Sequence, residues 1–366
     1  MTRVLVDLLF YTGTKGGMES YVREVYTRLA DDPELEFVGY ASSELAAHGA
    51  PWFPGSVIDS GISGENRIAW ARGELFAVAR AARRHGTDLV HCPANFGPLR
   101  STVPVVLTIH DLLAFRHPEY VPGAYSRILR TMIRLATRTA RRIITVSRAS
   151  RDDIITYLGV PDDRVVVTPL AGSAPAAGAG LRRHESQLLA VGNRMPHKGF
   201  EFLLEAMARI EPARRPMLVI TGSHGDDPLK PVVERLGLGD HVDLRGWLSR
   251  VELDRLYAES TALVFPTRFE GFGLPPLEAM ARGCPVIVAD IPVMHEVAGD
   301  AAVYVDPTDP DAIARAIRSV LDSPDERSRM SRAGLARAAD FSWDATAAST
   351  RVALLDALVP NGVSGR

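Results

Sequence analysis

The sequence predicts an α/β protein built from two doubly wound domains that face each other across a cleft. Three observations carry this. Short apolar runs alternate with amphipathic stretches along almost all of the 366 residues, the rhythm of parallel strands covered by helices. The rhythm breaks at 171–186, AGSAPAAGAGLRRHES, where small residues show no apolar period. At roughly 150 residues per domain, the chain is also about two domains long.

Taken in order, VLVDLLF (4–10) reads as a buried strand and Met18 to Ala30 as the helix after it. DLVHC (88–92), VPVVLTIH (103–110), RIITVS (142–147) and RVVVTPL (164–170) read as further strands, with helical patterns at 69–85, 125–141 and 149–158. After the break, the strands QLLAVG (187–192) and PMLVITG (216–222) are each followed by a helix, at 200–210 and 228–238. VDLRG, TALVFP, PVIVAD and AVYVD are the remaining strands, and the last helix is 343–358. The expected domains are 1–170 and 187–342, joined by a linker at 171–186, with the last helix packed back on the first. Doubly wound sheets bind ligands at the C-terminal ends of their strands, so the cleft is the expected site.

Lys plus Arg number 42 against 44 Asp plus Glu, a formal net charge of −2. Nucleic-acid binding usually needs a basic excess, so no nucleic-acid partner is expected. Hydrophobic residues make up 46%, enough for a core without disulfides or metals. The two cysteines, Cys92 and Cys284, form neither a disulfide framework nor a zinc cluster, which fits a cytoplasmic location. The apolar opening is short and holds Asp7, unlike a signal peptide, and no run approaches the roughly 18 apolar residues of a membrane span. One stretch departs from the neutral average. Residues 120–151 contain no acid, yet hold Arg127, Arg130, Arg134, Arg138, Arg141, Arg142, Arg148 and Arg151. Several fall at i, i+3 and i+4, a basic helix face suited to peripheral contact with an anionic membrane, on its inner face, and to a lipid-linked acceptor.

The segment FPTRFEGFGLPPLEAMARGCPVIVAD (265–290) carries the chemistry. A strand ends at Phe265-Pro266, a glycine loop follows, Pro275 and Pro276 suit a helix's first turn, and Gly283 suits its C-terminal cap. A strand–glycine loop–helix unit directs backbone N–H groups at one point, a phosphate site by geometry. Glu270 on the loop and Glu278 inside the helix are out of place beside phosphate alone, but suit hydroxyls. A sugar nucleotide offers both.

This segment resembles the signature of retaining glycosyltransferase family 4, whose GT-B fold pairs two Rossmann-like domains; Glu270 and Glu278 match its two glutamates, and FGLPPLEAMARGCPV extends the match. The resemblance implies that Glu278 holds the ribose hydroxyls, that Glu270 contacts the donor sugar near its reacting carbon, and that the N–H groups of Gly271, Phe272, Gly273 and Leu274 serve sugar and phosphates. VGNRMPHKGFEFLLEA (191–206) resembles the family's arginine–lysine segment. Lys198 matches the diphosphate-binding lysine, but Asn193 stands where many members have arginine, leaving Arg194 or His197 as a substitute. In GTKGGMESYVREVY, Gly16 and Gly17 match the family's glycine loop; His110 of TIHDL matches its active-site histidine; Trp247 and Leu248 of GWL lie where the family's backbone meets the base.

The resemblance implies a metal-independent, retaining transfer of a hexose, with mannose or a deoxyhexose favoured, from a nucleotide diphosphate sugar to a hydroxyl. GDP-mannose is the first expectation for the donor, a dTDP- or UDP-sugar the next, and no further cofactor is implied. Cell-surface polysaccharide, glycolipid and natural-product synthesis all fit. A sugar-nucleotide epimerase of the same fold and a non-catalytic sugar-nucleotide-binding protein are the alternatives. The Asp309-Pro310-Asp311 sequence directly precedes a helix and reads as its N-terminal cap rather than a metal site.

Overall fold

The computed structural model describes residues 1–13, 16–121, 123–172, 183–223 and 225–359. The chain divides into two units: Met1–Leu170 with Ser342–Arg366, and Ala171–Phe341. Residues 173–182, most of the expected linker, lie outside the described residues.

Among its described residues the first unit holds seven parallel strands: β1 (Thr2–Leu8), β2 (Leu35–Ala41), β3 (Ser56–Asp59), β4 (Leu89–Cys92), β5 (Val105–Ile109), β6 (Arg142–Thr145) and β7 (Val165–Val167), in the order β3-β2-β1-β4-β5-β6-β7. The central strands are apolar and buried along their length, as expected when helices cover both faces. Leu5, Leu9, Val90 and Leu107 join Ile133 and Ala136 of the helix Gly123–Thr139 in one core. The last helix, Trp343–Asp356, belongs to this unit; its Trp343, Ala347, Ala353 and Leu354 are buried, and Thr350 Oγ1 lies 3.3 Å from the Tyr21 hydroxyl. Two strands escape the sequence pattern. β2 carries Gly39, where a Cβ would come within 3.0 Å of Leu8, and β3 is a four-residue edge strand with no fully buried residue. The helical pattern at 69–85 is real but interrupted by a π-helical turn at Gly73–Ala77.

Among its described residues the second unit holds six parallel strands: β8 (Gln187–Val191), β9 (Met217–Ser223), β10 (Val242–Gly246), β11 (Ala262–Phe265), β12 (Val286–Ala289) and β13 (Ala302–Val305), in the order β10-β9-β8-β11-β12-β13. Winding reverses between β8 and β11, the topological switch point where doubly wound sheets bind ligands. The loops that follow these two strands carry Lys198 and Glu270. In the first sheet the switch lies between β1 and β4, beneath the Gly16–Gly17 loop.

Candidate active site

Gly199 brings the Lys198 loop to the Glu270 loop. It is left-handed (φ +71), and a Cβ there would stand 2.1 Å from the Pro266 carbonyl oxygen at the end of β11. Arg268 N donates to the His197 carbonyl at 2.7 Å, and the Arg268 guanidinium to the Pro196 carbonyl at 2.8 Å. So joined, the loops place Lys198 Nζ 2.5 Å from Glu270 Oε1, with both side chains about 15% exposed. A second glycine shapes the other side. Gly273 has φ +106, and a Cβ would fall 2.4 Å from Met294 Cε. The helix it opens, Leu274–Met280, is short and begins with Pro275 and Pro276, which have no N–H. The N–H groups of this turn therefore belong to the residues before the prolines. Behind the helix, Gly283 (φ +67) sends its N–H to Met280 O, and Cys284 N to Ala279 O, the paired bonds of a Schellman cap.

Glu278, one turn into this helix, is nearly buried. Arg250 Nη1 donates to its Oε1 and the Tyr257 hydroxyl to its Oε2. Burial and the Glu278 charge together push the Tyr257 phenol well above its usual range.

Arg194 has a different task from the expected one. Its side chain is 6% exposed, and every guanidinium N–H has an acceptor: Asp227 at 2.7 to 3.1 Å and the carbonyls of Gly192, Ile220, Thr221 and Arg245 at 2.9 to 3.4 Å. It is a strut between β9 and its surroundings, not a cation facing a ligand. Burial works against the Asp227 charge, but the Arg194 hydrogen bonds outweigh it and hold that carboxyl below its usual range. Asn193 is exposed and its side chain accepts the Met195 N–H at 3.3 Å; His197 is buried. Trp247, after β10, is 52% exposed, and Leu248 is half-buried.

In the first unit His110 follows β5 and is buried. Its Nε2 lies 2.8 Å from the Pro93 carbonyl, so Nε2 carries the proton and Nδ1 is the basic atom. Burial outweighs that hydrogen bond and pushes the imidazole down to about 4. Asn95, with φ 67, accepts the His110 N–H at 2.7 Å. The Gly16–Gly17 turn opens the helix Gly17–Arg28, but two N–H groups of the same loop, Thr12 and Gly13, already bind Glu19 Oε1 at 2.8 and 2.9 Å. That internal carboxylate occupies donors that an anion would need. Asp309 caps its helix through the N–H groups of Asp311 and Ala312. Sequence reading missed Arg250, Asp254, Tyr257, Arg282 and Asn95. The i, i+4, i+7 spacing of the first three puts them on one helix face, but nothing in the sequence says that this face meets Glu278.

The profile of "Glycosyltransferase Family 4" matches residues 15–171, and that of "Glycosyl transferases group 1" matches residues 178–337. O-antigen chain mannosyltransferase B of Escherichia coli is 34% identical over 278 residues, 72% of this chain and 73% of that protein. The MMP alpha-(1->4)-mannosyltransferase of Mycolicibacterium hassiacum is 31% identical over 74% of this chain and 71% of its own. Among solved structures, sucrose-phosphate synthase of Thermosynechococcus elongatus superposes with TM-score 0.77 at 20% identity, covering 96% of this chain and 98% of that one. Anabaena Alr3699/HepE in complex with UDP-glucose gives 0.74 at 18%, covering 97% and 100%. At such identities the structures speak to the fold, while the profiles and the relatives speak to the family: this chain belongs to glycosyltransferase family 4, and it is a GT-B hexosyltransferase.

Proposed function

We propose that the protein transfers mannose from GDP-mannose, with retention and without a metal, to a hydroxyl of a cell-surface polysaccharide, glycolipid or natural product. The observation that carries the reading is the pairing of Lys198 with Glu270 at the switch point of the second sheet, Glu270 lying on the loop that leads into the helix of the anchored Glu278. The two relatives above, both named mannosyltransferases, support mannose. Glu278 holds the ribose, the loop N–H groups of Gly271–Leu274 hold the phosphates, and Lys198 neutralises the leaving diphosphate. The donor C1–O bond breaks as the acceptor oxygen bonds C1 from the same face, and the acceptor proton passes to the departing phosphate oxygen. A carboxylate paired with an ammonium is a weaker nucleophile, so Glu270 serves as an electrostatic neighbour of the reacting carbon. In the first unit His110, with Nδ1 as its basic atom, accepts a sugar hydroxyl.

A nucleotide-release assay over GDP-, UDP- and dTDP-sugars, with and without acceptor alcohols, tests this. Acceptor-dependent GDP release from GDP-mannose is expected. Consumption of the sugar nucleotide without any acceptor would sink the transferase mechanism, and a covalent glycosyl adduct on Glu270 would replace same-face attack by double displacement.

Among the described residues no helix is long and apolar enough to cross a membrane. We infer a peripheral one-leaflet contact. Arg127, Arg130, Arg134 and Arg138 lie along the helix Gly123–Thr139 with Ile128 55% exposed, and a hollow of about 290 Å³ is lined by Arg134, Arg138 and Arg164. Arg141, Arg142 and Arg151 are engaged within the chain, by Val359 O, Asp163 O and Asp162.

A further inference from the structure

Glu278 sits in a closed set of charged groups. Arg250 Nη1 donates to its Oε1 at 2.5 Å, and the Tyr257 hydroxyl to its Oε2 at 3.1 Å. Asp254 Oδ1 forms ion pairs with Arg250 Nε at 2.9 Å and with Arg282 Nη2 at 2.6 Å. Arg282 donates to the backbone carbonyl of Glu278 at 2.9 Å and lies over the Tyr257 ring at 5.6 Å. Tyr257 is fully buried, and the side chains of Asp254 and Arg282 are 7% and 3% exposed. Among the described residues, two guanidinium groups face two carboxylates here.

A buried set of charges adds little stability over an apolar group of the same volume. What it fixes is direction. A carboxylate has about four acceptor positions, two on each oxygen. The protein takes one on Oε1 and one on Oε2, so the group keeps an acceptor position on each oxygen. Two adjacent acceptors suit two adjacent donors, and a vicinal diol supplies them.

We propose that Arg250 and Tyr257 are positioning residues that aim Glu278 at both hydroxyls of a ribose, so that the donor is a ribonucleoside rather than a 2′-deoxyribonucleoside diphosphate sugar. This rests on the reading of Glu278 as the nucleoside-binding group. Of the three donors expected from the sequence, it keeps the GDP- and UDP-sugars and removes the dTDP-sugars. A 2′-deoxyribose leaves one charged acceptor unmatched in a nearly closed site, a loss of roughly tenfold or more in affinity.

The test is calorimetric titration of the full chain with GDP, UDP and their 2′-deoxy counterparts, for the wild type and for Tyr257→Phe, Arg250→Ala, Arg250→Lys and Glu278→Gln. The wild type is expected to prefer the ribo form at least tenfold. Tyr257→Phe, which keeps the ring under Arg282, should shrink this ratio and raise the donor KM more than it lowers kcat. Arg250→Lys should retain more of the ratio than Arg250→Ala. A ratio near one in the wild type, or a ratio unchanged in Tyr257→Phe, overturns the proposal while leaving the donor reading intact. If Arg250→Ala does not fold, the Tyr257→Phe ratio decides. Failure of the wild type to bind any nucleoside diphosphate overturns the donor reading itself, and this inference with it.

Discussion

Lys198 and Glu270 are 72 residues apart, yet their charged atoms lie 2.5 Å apart. Neither residue type is unusual on a surface; their meeting is. Removing the cation from a site where negative charge develops should lower kcat by roughly 10²–10³-fold in Lys198→Ala, with a smaller change in donor KM. Glu278→Ala should do the reverse, raising KM about tenfold or more through lost charged hydrogen bonds. Steady-state kinetics with varied donor separate the two, and unchanged kinetics in both variants would count against the site. His110 gives a pH signature. Its folded pKa is lowered to about 4, so between pH 6.5 and 4 the unfolded chain binds a proton that the folded chain does not. Its contribution is therefore fully present above pH 6.5 and is lost as pH falls through that window. Asp7 and Glu74, pushed up by burial, act in the opposite sense above their unfolded values, so the total curve mixes both. The difference cancels them and leaves His110 together with its effect on buried His91, which burial and then the His110 charge hold down to about 3. Urea unfolding should show the wild type losing on the order of 3 kcal/mol more than His110→Asn between pH 6.5 and 4. Parallel curves would mean that His110 titrates normally.

At the scale of elements, glycines decide whether the loops can meet. Gly199→Ala adds a Cβ against the Pro266 carbonyl at a left-handed position, so a loss of about 1–3 kcal/mol in chemical denaturation is expected, together with reduced activity. The helix Arg250–Glu259 has a full capping box, Ser249 with Glu252, and its orientation sets where Arg250 and Tyr257 reach Glu278. Ser249→Ala should cost about 1 kcal/mol of stability and raise the donor KM; a stability loss with unaltered KM would separate the helix from the site. Most of this scale was legible in the sequence. The apolar runs of β1, β4, β5, β8, β9, β11 and β12 announce themselves because both faces of each strand are covered. β2 and β3 were missed because one is interrupted by a packing glycine and the other is a short edge strand.

At the scale of the whole molecule, the near-zero net charge hides a local excess, the arginine face of the helix Gly123–Thr139. If that face docks on lipid, vesicles rich in anionic lipid should float the protein at low salt and release it at high salt. Replacing Arg127, Arg134 and Arg138 together by Glu should abolish flotation, whereas salt-insensitive or absent binding would remove the membrane from the proposed function. The last helix returns to the first unit and buries Trp343 and Leu354 there, so deletion from Ser342 onward should destabilise that unit well beyond the loss of a surface helix, as read by thermal melting.

The sequence by itself determined the two parallel-sheet domains, the family and the principal candidates Lys198, Glu270 and Glu278, because strand periodicity, turn glycines and a contiguous motif are all local in the chain. It did not determine which charges are free. Arg194, expected as a substitute for the family's diphosphate-binding arginine, is engaged by Asp227 and four carbonyls; Glu278, expected to hold ribose hydroxyls, is itself held by Arg250 and Tyr257. Whether a charged side chain faces a ligand or another residue depends on which strands and helices come to lie beside it. Only the tertiary structure decides that, since the side-chain partners stand between 21 and 33 residues away along the chain.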